Sequence, residues 1–501
     1  MIIDEKNRYL VLPVSEKAAA SKVYIRSGDK LLLDLDVKVD FSNPESVFYY
    51  DLKPFFGQNI DVSHISEKSF GFSEFPADVT DENRPLIHFT AKKGWINDPN
   101  GLCFYEGKYH MFFQHNPVGT CWGNMHWGHA VSSDLIDWEE LGDALIPDEM
   151  GTMYSGSAIV DYDNVIGLKE NEHDPLILFY TAAGRENEIS RDKPYTQCMA
   201  YSTDGGNTFK KWKNNPVVPH IKGGNRDPKV IRDPESGVYV MALYLDGDEY
   251  ALLTSSNLTE WKQIQSINFK GDNECPDFYP LPDENSKLKW VLNGAHDCAM
   301  VGDFDPEKGF YNCGEVHKFG FARPYAAQSF NLGYDLRRIR IAWNTYTSIP
   351  SKNFNCEMGM PYDVSLKNGR VNVTPIPELD NHFTKTETYE ALPSHGISME
   401  MPLPCKLDFE FSKSEENIII NIFNNEVKID AAGTLTVNDA DQMLLNVTDG
   451  VRFCLIADKC GIEIFDGSGC AYGAFAADIR GDMMTVSGEG SLDKLIVRTL
   501  K

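Results

Sequence analysis

Several things are scarce in this chain, and each scarcity closes off a class of function. No apolar run approaches the ~20 residues that a membrane span requires, so no membrane partner is expected. Basic residues are outnumbered, 47 against 74 acidic ones, and the net charge of −27 disfavours nucleic acid and anionic lipid, which repel an acidic surface. The 11 cysteines form no C-x-x-C pair, so neither a disulfide framework nor a thiolate zinc site is expected. Free thiols fit a reducing compartment. The opening MIIDEKNRYLVLPV carries acids where a secretion signal needs basic residues, and a cytoplasmic location is the expectation. Glycine-rich phosphate loops and Ca²⁺ loops are missing, so no cofactor is expected. His126 and His129 have H-x-x-H spacing but no third ligand motif nearby, which argues against a metal site. Convincing amphipathic helices are also missing.

What remains is a β-rich chain with an unusual set of polar motifs. At 501 residues with 42% hydrophobic and 12% aromatic content, two or three well-packed domains are expected. Residues 1–80 contain period-two alternation, with Leu33, Leu35, Val37, Val39 and Phe41 interleaved with Asp34, Asp36, Lys38 and Asp40. This reads as a half-buried strand of a small N-terminal β-module. A polar, proline-containing stretch over 73–85 reads as a linker. From 86 to 378, short aromatic and β-branched runs such as KYHMFFQHNP and GVYVMALYLDG are bounded by Gly, Pro, Asn or Asp, an all-β pattern. Alternation returns over 390–501, in LDFEF and GIEIF, and reads as a C-terminal β-sandwich.

Within 86–378 the distinctive motifs recur at wide intervals: Asp98 in WINDPNG, Ser155 in YSGS, Asp227 in NRDPK, Glu274 in NECPDFYP and Trp343 in IAWN. Their spacing, roughly 50 to 70 residues, suits a five-bladed β-propeller with one motif per blade, carried on inner strands that converge on a central channel. The DPNG run has the composition of a tight β-turn. Three carboxylates, Asp98, Asp227 and Glu274, would then meet at one end of the channel. Glycoside hydrolysis needs two, a nucleophile or base and an acid for the leaving oxygen, and a third can hold sugar hydroxyls. Trp95, Trp122, Trp127 and Trp343 offer faces for sugar rings, and Asn97, Gln114 and Arg226 offer hydrogen bonds. A surface role is the ordinary fate of an acidic residue, so convergence decides between the two readings.

The ordered set WINDPNG, QHNP with WGNMHWGH, YSGS, RDP and ECP resembles glycoside hydrolase family 32, the invertases, levanases and inulinases, from about His88 to the C-terminus. The resemblance implies an all-β fold, a five-bladed propeller followed by a β-sandwich, to which this chain adds its N-terminal module. It implies a retaining β-fructofuranosidase with Asp98 as nucleophile, Glu274 as acid/base and Asp227 as stabiliser of the fructosyl 3- and 4-hydroxyls. Asn97, Gln114, Trp122, Tyr154, Ser155, Arg226 and Trp343 match positions lining the fructose pocket. YSGS replaces the commoner FSGS, which leaves the Tyr154 hydroxyl in need of a partner. Expected substrates are fructans, fructo-oligosaccharides or sucrose. Alternatives are a sucrose-6-phosphate hydrolase, which needs basic groups for the phosphate, and a non-catalytic fructan-binding propeller. Linkage preference and oligomeric state stay open.

Overall fold

In the computed structural model, residues 1–500 are described except 67, 79, 334, 348, 393–396, 413–416 and 488–491. Val79 of the linker and those three short runs of the terminal section therefore lie outside the described residues. Strands dominate; the α-helical content among the described residues is the single turn-and-a-half Glu378–His382.

The N-terminal module consists of two three-stranded sheets. In one, Tyr9–Val14 lies between Ser46–Asp51 and Gly71–Ser73; in the other, Ser21–Ser27 lies between Lys30–Val37 and Asp61–His64. Alternation buries Leu10, Leu12 and Val14 from one sheet against Val23, Ile25, Leu33 and Leu35 from the other. The strand expected through Phe41 ends at Val37, and Asp34 within it is buried rather than solvated. Val118, from the second section of the chain, completes this core.

Five antiparallel meanders follow among the described residues, each four strands deep. Their first strands are Gly94–Tyr105, Thr152–Val160, Arg226–Arg232, Asp277–Pro282 and Pro324–Ser329. Each contacts the next, and the fifth contacts the first, so they line the channel of a propeller. Phe354–Asn355 adds a parallel strand beside Gly94 and Trp95 and ties the fifth meander to the first. Inside the channel a buried ion cluster fastens three meanders together. Asp277 accepts from Arg340 Nε at 2.9 Å and Ser329 Oγ at 2.9 Å and pairs with Lys229 Nζ at 3.1 Å. Arg340 also donates to Asp297 at 2.7 Å. Every buried charge here is matched, which is the condition for keeping such groups inside.

The terminal section is a sandwich of a seven-stranded and a six-stranded sheet. Cys405–Phe411 shows how sequence places it: Cys405, Leu407, Phe409 and Phe411 face the core between the sheets. Lys385–Leu392 already belongs to the larger sheet, whose far edge is Gly320–Ala322 from the propeller section, paired in parallel with Tyr472–Ala476. The entry to the propeller is also anchored here, because the Asp458 carboxylate accepts from the backbone N–H groups of Leu86, Ile87 and His88.

Candidate active site

The WINDPNG run is not a turn. Gly94–Tyr105 is one continuous strand, with pairing irregularities between Ile96 and Pro99 and between Asn100 and Cys103. Pro99 and Asn100 sit opposite Phe113 and Phe112 on the short rung between the two irregularities, and Gly101 falls within the second. The first bulge contains Asn97 and Asp98 and re-aims the carboxylate that strict alternation would direct elsewhere. The same device recurs. The strand carrying YSGS is irregular between Tyr154 and Gly156, and that carrying RDP between Arg226 and Lys229. Asp227, Glu274 and Cys275 occupy the left-handed region, at φ of +64°, +53° and +37°, a conformation that non-glycine residues keep only when their surroundings over-determine it. Here Thr181 Oγ1 accepts from the Asp227 N–H at 3.0 Å and the Tyr250 hydroxyl donates to the Glu274 carbonyl at 3.0 Å.

These residues meet at a cavity of about 400 Å³. Ten of the twelve positions singled out in the sequence line it: Asn97, Asp98, Gln114, Trp122, Tyr154, Ser155, Arg226, Asp227, Glu274 and Trp343. Trp95 and Trp127 do not offer their faces to it, because both are buried and act from behind, Trp95 through its bond to Asn97 and Trp127 through one to the Tyr154 carbonyl. Both Asp98 oxygens accept hydrogen bonds, Oδ1 from Asn97 Nδ2 at 3.1 Å and Oδ2 from Ser155 Oγ at 2.6 Å. Trp95 Nε1 fixes Asn97 in turn, at 2.9 Å, and Gln114 Nε2 donates to Ser155 Oγ at 3.1 Å. The Cys275 thiol lies 3.5 Å from both Asp98 Oδ2 and Asp227 Oδ2, and its backbone N–H donates to Asp227 at 3.1 Å. Glu274 is gripped from two sides, by Arg226 Nη2 at 2.6 Å on Oε1 and by the Tyr325 hydroxyl at 2.7 Å on Oε2.

Electrostatics differentiate the groups. Burial pushes the Asp227 carboxyl up to about 7; Arg226 opposes this and the nearby Asp98 reinforces it. Burial works against the charge on Arg226, but Asp227 and Glu274 outweigh it and hold the guanidinium protonated. Burial, then Cys275 and Glu274, push the Tyr325 phenol far above its usual value, so it remains a donor.

Trp343 lines the cavity from a place other than the expected inner strand. It belongs to Arg338–Asn344, the second strand of the fifth meander, and its ring reaches inward between Trp95 and Tyr325, at centroid distances of 5.8 and 6.1 Å. The inner strand of that meander instead contributes Tyr325, which the motif search missed because an isolated tyrosine after Arg-Pro carries no chemical signature. Tyr195, missed for the same reason, stands against Tyr154: the rings meet edge to face at 5.6 Å, and the Tyr195 hydroxyl donates onward to Glu186. Met125 and Cys275 complete the lining. His126 and His129 serve the scaffold. His126 is hydrogen-bonded to Tyr50 and Asn124, and His129 stacks on Phe112 and bonds His110. Among the described residues no cluster of three or more His, Cys, Asp or Glu is arranged to hold a metal.

The family model for the glycosyl hydrolases family 32 N-terminal domain matches residues 88–375. The chain belongs to glycoside hydrolase family 32. A levanase of Bacillus subtilis (strain 168) is 37% identical over 344 residues, which is 61% of this chain and 50% of the levanase. Invertase 1 of Saccharomyces cerevisiae is 33% identical over 347 residues, 62% of this chain and 63% of the invertase. The chain thus spans about half the length of that levanase and under two thirds of the invertase. Among solved structures, exo-inulinase from Aspergillus awamori superposes with a TM-score of 0.72 at 24% identity, covering 84% of this chain and 98% of that one. Fructofuranosidase from Schwanniomyces occidentalis complexed with fructose gives 0.73 at 23%, covering 85% and 99%. Family 32 members thus share this propeller-and-sandwich fold, and the stretch before residue 88 lies outside the family match.

Proposed function

We propose that the protein is a retaining β-fructofuranosidase that releases fructose from neutral fructosides. The observation that carries this reading is the convergence of Asp98, Asp227 and Glu274 on one cavity, with each carboxylate held by different partners. Two of them suffice for retaining hydrolysis. The Asp98 carboxylate attacks the fructosyl C2 as the C2–O bond to the leaving group breaks. Glu274 gives its proton to the departing oxygen, leaving a fructosyl ester on Asp98. Glu274 then takes a proton from water, the water oxygen attacks C2, and the ester bond breaks to return Asp98 and β-fructose. Arg226 and Tyr325, both bonded to Glu274, aim its carboxyl at that oxygen. Asp227 accepts hydrogen bonds from ring hydroxyls and, with Asp98, offsets the positive charge that develops at C2.

Neutral substrates are favoured over sucrose-6-phosphate by one observation. Arg226 is the sole cation among the described lining residues, and its guanidinium is committed to Glu274, Asp227 and the Gly224 carbonyl, leaving no cation free for a phosphate. The relatives named levanase, invertase and exo-inulinase support fructans and sucrose as the class. Fructose release from sucrose, inulin and levan, with Asp98→Asn as the comparison, tests the proposal. Release by the unaltered protein alone supports it. Sugar binding without release by either protein would make the propeller a binding module, and cleavage confined to sucrose-6-phosphate would overturn the neutral-substrate reading.

A further inference from the structure

We propose that the N-terminal module is a working wall of this site, positioning two of its aromatic side chains, Trp122 and Tyr195, from behind. The inference deepens the fructosidase reading and rests on it. Trp122 is 51% exposed and sits in a loop, where an indole would ordinarily sample many positions. Here the chain is fastened to the module on both sides of it. Ahead of it, the Thr120 hydroxyl donates to Glu16 Oε1 at 2.7 Å and the Cys121 thiol to Glu16 Oε2 at 3.4 Å. Behind it, Asn124 forms a reciprocal pair with the backbone of Asp36, accepting from its N–H and donating to its carbonyl, both at 2.8 Å. Lys38 Nζ holds Glu16 at 2.6 Å. Burial opposes ionisation of this carboxyl, but the bonds from Lys38, Thr120 and Cys121 prevail and hold it below its usual range. Two residues before the indole and one after it are thus tied to the module, and Trp122 meets Tyr154 edge-on at 6.1 Å.

The second attachment explains a residue that alternation misjudged. Asp34 stands between Leu33 and Leu35 with its side chain fully buried, a costly placement unless the charge is matched. Lys22 lies 2.8 Å away, and the carboxylate caps the backbone N–H groups of Glu188 and Ile189 at 3.1 and 3.3 Å. The Tyr24 hydroxyl adds a bond to the Glu188 side chain at 3.0 Å. Glu186, two residues earlier in the same loop, accepts from the Tyr195 hydroxyl. One strand of the module, Lys30–Val37, therefore reaches both loops: through Asp36 the one that carries Trp122, and through Asp34 the one that orients Tyr195. A spacer domain would not need a buried carboxylate aimed at the loop beside a substrate cavity.

A double-mutant cycle on the full-length protein tests this. Glu16→Ala removes the anchor and Trp122→Ala the side chain it positions; kcat and KM for sucrose and the thermal midpoint are measured for each and for the pair. Losing two bonds to a carboxylate should raise KM roughly five- to tenfold with kcat within about twofold, the pattern of lost substrate positioning. In the Trp122→Ala background, Glu16→Ala should change KM no further. Thr120→Val breaks one of the two bonds from the propeller side and should raise KM in the same direction by a smaller factor, which keeps the test available if Glu16→Ala folds poorly. Additive effects on KM, or an unchanged KM in both Glu16→Ala and Thr120→Val, would reduce the module to a structural appendage. A failure of the unaltered protein to release fructose from any fructoside would instead refute the parent reading.

Discussion

Asp227 is a carboxylate kept where it is costly to keep, and replacing it should stabilise the protein while disabling it. Its side chain is 7% exposed, and burial raises its carboxyl from 3.8 to about 7. A carboxyl with a raised folded-state value favours the fold while protonated and loses that contribution as pH climbs through the shifted value. At pH 8 the shift of about three units corresponds to roughly 4 kcal/mol of stability forgone. Asp227→Asn removes the titration and keeps an oxygen able to accept from the Cys275 N–H, now at 3.1 Å. The variant should therefore unfold roughly 5–8 °C higher than the unaltered protein at pH 8, at about 2 °C per kcal/mol for a domain of this size. The gain should shrink as pH falls through 7 and vanish near pH 4. Calorimetry of both proteins from pH 4 to 8 reads this directly. An Asp227→Asn variant no more stable at pH 8, or a gain that does not change with pH, would refute the assignment of a burial cost to this residue.

Three further outcomes follow from the geometry. Tyr325→Phe removes one charge-assisted hydrogen bond to Glu274, so steady-state kinetics should show kcat down about tenfold or more with KM little changed; an equal loss through KM would point to a substrate contact instead. Glu274→Ala should lose far less activity on an aryl β-fructofuranoside with a good leaving group than on sucrose, because such a group departs without protonation; equal losses on both would remove Glu274 from the acid role. Gly156→Ala should prevent soluble folding or lower the melting temperature sharply, since a Cβ there would fall 2.0 Å from the Phe179 carbonyl oxygen on the neighbouring strand of the same meander; a variant melting like the unaltered protein would show that this strand pair can give way.

The residues that were legible in the sequence are those whose type announces a chemistry. Asp98, Asp227 and Glu274 stood out because each lies in a motif of proline, amides and aromatics, and their spacing matched a strand-per-blade repeat. The means of projection was not legible. DPNG has the composition of a turn, but the partner strand Lys108–Asn116 pairs along its length and makes it a bulged strand instead, and local composition cannot distinguish the two. Asp34 shows the same limit in the other direction. Period-two alternation assigns it to solvent, and only the arrival of a loop 154 residues later in the chain converts it into a buried cap. Tyr325 and the inward reach of Trp343 depend on which strand of a blade faces the channel, and Tyr195 on the path of the loop before Thr196–Ser202, tertiary facts with no trace in residue type.

The most direct test of the proposed chemistry is the configuration of the fructose first released. With a β-linked substrate in deuterated buffer, NMR spectra recorded before mutarotation should show β-fructofuranose appearing first, because displacement by Asp98 and then by water inverts C2 twice. Initial appearance of the α-anomer would mean a single displacement by water, and Asp98 could not then be the nucleophile.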